Sequence, residues 1–97
     1  MTHKQLPVPQ SAISDPKAIE LLRVWAAHGE QHVSFVPGIW KDPASWGIML
    51  VDLAKHVARA YEQSSGFDYE LAIQRIRQAI DAEWQDATDT PVGKLVD

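Results

Sequence analysis

Asp52, His56 and Arg59 are three polar residues whose spacing places them on one face of a helix. Asp52 and His56 are four residues apart, so the carboxylate could orient the imidazole as an acid–base pair, with Arg59 one turn further along. The same spacing is typical of a solvated helix face that carries a weak ion pair. Because no nucleophile and no partner motif accompanies these residues, we favour the solvated face and predict no catalytic residue.

Two histidines, His28 and His32, flank a predicted turn and could be read as metal ligands. A catalytic zinc ion normally has three protein ligands. The predicted strand register places the two histidines on opposite faces of the sheet, and no third ligand is evident. The sequence therefore predicts two exposed or half-exposed turn histidines, with no bound metal and no cofactor.

Glu83 is a carboxylate within an otherwise apolar helical stripe, one residue before Trp84. A buried carboxylate at this point could have a functional role. Near a helix end, however, its side chain can reach water or pair with a basic residue. We therefore favour a Glu83 side chain that reaches water or pairs with a basic residue. The sequence contains no nucleotide-binding, hydrolase, zinc-protease or calcium-loop motif.

Composition excludes several classes of protein. The chain has 97 residues, of which 45% are hydrophobic and 23% charged, so it fits one small globular domain. Its net charge of −4 disfavours nucleic-acid binding, and the absence of cysteine excludes disulfides and thiolate metal sites. The sequence lacks a signal peptide and a membrane-spanning run, so we expect a cytoplasmic protein that does not bind membranes.

A β-hairpin is predicted over residues 21–28 and 31–36, joined by a type II′ turn at Gly29-Glu30. This register places three apolar pairs on one face: Ala26 with Val33, Val24 with Phe35, and Leu22 with Pro37. The other face is mixed in character and includes Trp25. A slip of one residue would exchange the two faces, so the register is a sharp test.

Two helices follow the predicted hairpin. Asp42-Pro43 provides a cap and a first-turn proline for the first helix, and Gly66 provides its end. Its apolar stripe consists of Trp46, Met49, Leu50, Leu53, Val57, Ala60 and Tyr61. Asp68 can cap the second helix, whose stripe consists of Tyr69, Ala72, Ile73, Ile76, Ala79, Ile80 and Trp84. The short connection predicts that the two helices are antiparallel.

The resulting prediction is an α+β fold of order ββαα, with an antiparallel β-hairpin packed on two antiparallel α-helices. Residues 1–14 are expected to form an extended, frayed N-terminal arm. Residues 15–85 form a single α+β domain, and residues 86–97 form a mobile acidic tail.

Three apolar residues, Trp25, Ile48 and Val51, remain once these stripes and one sheet face have formed a core. Single exposed apolar residues are common, and the arm or the tail could cover them. A bare two-stranded hairpin also leaves unpaired edges, which a second copy of the chain would relieve. We therefore predict a homodimer with an interaction surface at these three residues.

Several short motifs resemble the domain-of-unknown-function family 5076, a family of short bacterial proteins. They are Arg23-Val24-Trp25, His32-Val33-Ser34, DPASWG at residues 42–47, DLAKHVA at residues 52–58, and Ala82-Glu83-Trp84. The similarity covers roughly residues 15–84, and the tail departs from it. The resemblance implies a bacterial cytoplasmic protein and implies no activity or catalytic residue.

The sequence thus favours a non-catalytic, homodimeric interaction or accessory module, with an unknown protein as a possible further partner. The alternative is a small-ligand-binding protein or enzyme that uses His32, Asp52, His56 and Arg59. Convergence of these four side chains on one pocket would support the alternative.

Overall fold

The computed structural model describes residues 4–86, which contain three helices and one hairpin. In chain order the elements are α1 (Gln10–Ser14), β1 (Leu22–Ala27), β2 (Glu30–Phe35), α2 (Ala44–Ser65) and α3 (Tyr69–Gln85). The predicted α+β class and the order ββαα are confirmed. Residues 87–97 of the predicted acidic tail lie outside the described residues. The predicted domain boundaries stay predictions.

The N-terminal segment contains a helical turn where the sequence predicted extended chain. The carbonyl of Pro9 accepts hydrogen bonds from the backbone N–H of Ala12 at 3.0 Å and of Ile13 at 3.1 Å, which starts α1. A tight turn follows at Asp15, whose side chain accepts a hydrogen bond from the backbone N–H of Lys17 at 2.9 Å and whose carbonyl accepts one from the backbone N–H of Ala18 at 3.0 Å. The prediction of an extended chain was therefore wrong for residues 10–14.

The hairpin has a different turn from the one predicted. His28 and Gly29 both have positive φ, 53° and 72°, which is the signature of a two-residue type I′ turn. Ala27 therefore pairs with Glu30, and Val24 pairs with Val33 rather than with Phe35. The predicted register was wrong by two residues because a non-glycine residue occupies the first left-handed position.

A two-residue shift leaves the predicted faces of the hairpin intact, since side chains alternate with a period of two. Leu22, Val24 and Val33 still share a face, and Trp25 lies opposite His32 on the other face. Val24 is 51% exposed, whereas Trp25 is half-buried. In β1, Val24 on the face predicted to be apolar is therefore more exposed than Trp25 on the opposite face.

The ends of α2 and α3 follow the predicted capping signals. Asp42 accepts a hydrogen bond from the backbone N–H of Ala44 at 2.9 Å, and Gly66 ends α2 with φ 68° in the left-handed region. The Asp68 side chain accepts from the backbone N–H of Leu71 at 3.0 Å and caps α3. These short-range predictions are confirmed.

The described residues from Gly38 to Asp86 form a compact unit by themselves, in which α3 folds back along α2. Ala58 on α2 and Ala72 on α3 are the only buried residues in the described part of the chain. Tyr61 contacts Phe67 edge to face near the connecting loop, with ring centres 6.1 Å apart. At the start of α2, Trp40 meets Trp46 in the same way at 5.0 Å. The packing of the hairpin on the helices stays a prediction.

Candidate functional site

An open groove runs along the first half of α2 and has a volume of about 590 Å³. The described residues that line it are Ala44, Gly47, Ile48, Val51, Asp52 and Lys55. Ile48 is 66% exposed and Val51 is 54% exposed. This α2 groove therefore brings together two residues of the predicted interaction surface and one residue of the predicted alternative ligand site.

The third predicted interaction residue, Trp25, belongs to β1. Its side chain is half-buried and takes part in an interaction of its own. Trp25 belongs to the compact unit that contains the hairpin, whereas the α2 groove belongs to the helical unit. A common surface of Trp25 with Ile48 and Val51 stays a prediction.

Arg59 is held in place by two neighbours within the helical unit. Its Nη1 lies 2.7 Å from Oε1 of Glu62, and its guanidinium lies over the ring of Tyr69, 3.9 Å from the ring centre. The hydrogen bond to Glu62 raises the pKa of Arg59 further above its already high ordinary value. Arg59 is therefore a permanent cation that joins α2 to the first turn of α3, and it cannot serve as a proton donor.

Asp52 and His56 do not form the acid–base pair that was the alternative to a solvated helix face. In residues 4–86, no ion pair or hydrogen bond joins their side chains, and both residues are exposed. Asp52 lines the α2 groove, whereas His56 is not among the residues that line it. Asp52 and His56 are thus exposed on α2, whereas Arg59 contacts Glu62 and Tyr69, and the solvated helix face stays a prediction.

His32 lies on β2, directly opposite Trp25. Its Nε2 is 4.0 Å from Oε2 of Glu30, which is too long for a hydrogen bond. That nitrogen is shielded from solvent and has no hydrogen-bond partner in the described part of the chain, although the side chain as a whole is 38% exposed. Convergence of His32 with the three residues of α2 stays a prediction.

His28 is exposed in the turn, and Glu83 is exposed on α3, where its side chain takes part in an interaction. Glu83 is therefore not the buried carboxylate that would have suggested a functional role. Across residues 4–86, no three His, Asp or Glu side chains come close enough together to hold a metal ion.

A second concavity, which the sequence did not predict, lies between α2 and α3 beside their loop. This interhelical groove has a volume of about 290 Å³, and its described lining residues are Tyr61, Phe67, Ala72, Arg75, Ile76 and Ala79. The four α3 residues recur at helical spacing on one side, which was a usable signal. Three of them, Ala72, Ile76 and Ala79, were predicted to belong to the core, so the groove was not predicted.

No helix within residues 4–86 has both the length and the apolar character that a membrane crossing requires.

Comparison with known proteins gives a family and a similar fold. The chain is similar to a solved structure described as "a putative pyruvate dehydrogenase from the photosynthetic bacterium Rhodopseudomonas palustrus CGA009". The identity is 32%, the match covers 99% of this chain and 98% of the other, and the TM-score is 0.75. No curated protein matches the chain. The family model described as "Domain of unknown function (DUF5076)" matches residues 5–88, and the chain therefore belongs to that family.

Proposed function

We propose that the protein is a non-catalytic, homodimeric interaction module of the bacterial cytoplasm. One observation carries this proposal: in the described part of the chain only Ala58 and Ala72 are buried, and no large apolar side chain is fully buried. A domain of this size normally buries over half of the surface that its unfolded chain exposes. Association with a second copy would supply the buried apolar area that the single chain lacks.

The proposed contact surface includes Trp25, Ile48 and Val51. Exposed Ile48 and Val51 in the α2 groove support this assignment, because grouped exposed apolar residues commonly mark protein interaction sites. Asp52 and Lys55 at the same groove supply charges of both signs, which would orient a partner without driving binding to a polyanion. An unidentified protein is the proposed second partner.

The proposed bacterial and cytoplasmic setting has two supports. The similar solved structure comes from a bacterium, and the chain contains no cysteine, which suits a reducing compartment.

The dimer is tested on the full chain by light scattering and by thermal unfolding over a hundredfold range of concentration. We expect the mass of two chains and a Tm that rises with concentration, because dissociation accompanies unfolding of an obligate dimer. A folded, monodisperse monomer whose Tm does not depend on concentration would refute the proposal.

The name of the similar solved structure supplies a second candidate, an activity on pyruvate. One feature of the α2 groove favours this candidate, because Lys55 is a cation beside the apolar residues Ile48 and Val51. Together these residues could hold a small carboxylate that carries a methyl group. Pyruvate titration followed by NMR tests this candidate. Shifts confined to residues 44–55 that saturate, and that disappear in Lys55→Gln, would support it, and unchanged spectra would remove it.

A further inference from the structure

Four apolar residues of α2 form a row that is about half exposed. We call Leu50, Leu53, Val57 and Tyr61 the leucine stripe. Their spacing of three, four and four residues places them on one side of α2. Their exposed fractions range from 40% to 52%, although the sequence pattern predicted them to be core residues.

The buried position of α2 is not a residue of the leucine stripe. The buried residue of α2 is Ala58, which projects roughly 100° away from its neighbour Val57 because each residue of an α-helix turns by that angle. Ala58 on α2 and Ala72 on α3 are buried, whereas the residues of the leucine stripe remain 40% to 52% exposed although α3 lies along α2. Packing with α3 therefore leaves about half of the surface of the stripe exposed.

The leucine stripe is continuous with the interhelical groove. Tyr61 belongs to both, and the groove extends the apolar surface onto α3 through Ala72, Ile76 and Ala79. At about 290 Å³ the groove has room for an aliphatic side chain from another molecule. The stripe and the groove together form one apolar face, which combines a projecting row with a concavity beside it.

The size and charge of this face suit a second copy of the same chain. With the exposed parts of Phe67 and Leu71, it offers on the order of 500 Å² of apolar surface, and a standard interface buries about 800 Å² per partner, of which over half is apolar. No residue of the stripe is charged, and Arg75 is the only charged residue among the described lining of the groove. The same face can therefore meet its own copy about a two-fold axis without placing a row of like charges together.

We infer that a second copy of this chain docks on the leucine stripe and the interhelical groove, so that the two helical hairpins form a four-helix interface. This inference rests on the proposed homodimer, and it moves the contact between the two copies from Trp25, Ile48 and Val51 to the leucine stripe and the interhelical groove. Projecting side chains of one stripe fill the interhelical groove of the partner copy, and the reverse contact is equal by symmetry. Ile48 lies roughly 140° or more around α2 from every stripe residue, so the α2 groove stays open for another protein.

The first experiment compares single substitutions in the full chain by light scattering and sedimentation. Leu53→Lys and Val57→Lys each place two charges in a symmetric interface, and we expect the dimer dissociation constant to increase roughly 100-fold or more. Ile80→Lys is the matched control, because Ile80 is an aliphatic residue of α3 with 49% exposure that lines neither groove. The control should keep the dissociation constant of the unaltered chain.

The second experiment remains informative if a lysine variant fails to fold. The chain has no cysteine, so Leu53→Cys, Val57→Cys and Ile80→Cys each carry a single thiol. A short bis-maleimide reagent should link a large fraction of the two stripe variants into covalent dimers and almost none of Ile80→Cys, with circular dichroism confirming that all three fold.

The outcomes separate the two proposals. An unaltered chain that is monomeric at every concentration overturns the homodimer and the inference together. A dimer that survives both lysine variants, or that links through Ile80→Cys rather than through the stripe, overturns the inference alone. A dimer lost in Ile48→Lys but kept in Leu53→Lys places the second copy in the α2 groove and likewise overturns the inference.

Discussion

The guanidinium carbon of Arg59 lies 3.9 Å from the centre of the Tyr69 ring, while Nη1 of Arg59 bonds Glu62 at 2.7 Å. A residue of the predicted polar face thus fastens the end of α2 to the beginning of α3. An arginine suits this position because its flat guanidinium can stack on a ring and still donate hydrogen bonds in its own plane.

Replacing Arg59 with alanine should lower the Tm by a few degrees, because both contacts are lost. Arg59→Lys should recover only part of the loss, since an ammonium group stacks less well on a ring. Thermal unfolding by circular dichroism measures both effects. A Tm of Arg59→Ala equal to that of the unaltered chain would show that the contact is not stabilising.

The pH dependence of this contact follows from the raised pKa of Arg59. A cation whose pKa is higher in the folded state contributes stability at every pH below its unfolded pKa, and that contribution is lost only as the pH rises through the folded pKa. The difference in Tm between Arg59→Ala and the unaltered chain should therefore stay constant between about pH 7 and pH 10.

Gly29→Ala should destabilise the hairpin by about 1 kcal/mol, because Gly29 has φ 72° and a left-handed backbone disfavours a Cβ atom. A Cβ atom at Gly29 or at Gly38 would meet no other atom within 4 Å, and of these two glycines only Gly29 has a positive φ. Gly38→Ala is therefore the matched control, and denaturant unfolding should show little change for it. Equal losses for the two variants would contradict the type I′ turn.

His28→Asn should stabilise the same turn by a few tenths of a kcal/mol, because asparagine adopts the left-handed conformation more readily and Asn-Gly is the preferred type I′ pair. The predicted type II′ turn at Gly29-Glu30 would give no such gain. Denaturant unfolding of His28→Asn beside the unaltered chain therefore distinguishes the two registers.

Asp68→Ala should lower the free energy of unfolding by about 1 kcal/mol, because it removes the 3.0 Å hydrogen bond to the backbone N–H of Leu71. Asp86→Ala is the control, since Asp86 ends the same helix and its contact with α3 is made by the backbone N–H. Asp68→Asn should retain most of the stability because an amide oxygen can also cap. A loss of the same size in Asp86→Ala would argue against a specific capping effect.

Ile48→Asp tests the α2 groove as the surface for another protein. The change places a charge beside Val51 and should abolish retention of a specific partner from cell extract, while circular dichroism and thermal unfolding stay unchanged because Ile48 is largely exposed. Lys4→Asp, which lies far from the groove along the chain, provides a charge-changing control. Retention of the same partner by Ile48→Asp would exclude the groove as its binding site.

The short-range features of this protein were predictable because each depends on a few neighbouring residues. Asp42, Gly66 and Asp68 carry chemical signals that act within one helical turn. The hairpin register depended instead on His28, whose left-handed conformation is uncommon for a residue with a side chain. Without that fact, Gly29 alone pointed to the wrong turn.

Which apolar residues of α2 are buried and which are exposed could not be predicted, for a different reason. This helix has apolar residues on more than one side, and periodicity alone does not say which side α3 takes. The larger residues Leu53 and Val57 pointed to one side, yet the residue of α2 that is buried is Ala58. The interhelical groove depends on how the two helices pack, so it was also missed.

The small size of Ala58 and Ala72 also allows the two helices to pack closely. Both residues are buried and neither side chain has an atom beyond Cβ, so neither one holds the backbones of α2 and α3 far apart. A leucine at either position would wedge the pair apart and widen the adjoining groove. In other members of the family, the sizes of these two residues should therefore vary together with the side chains that fill the groove.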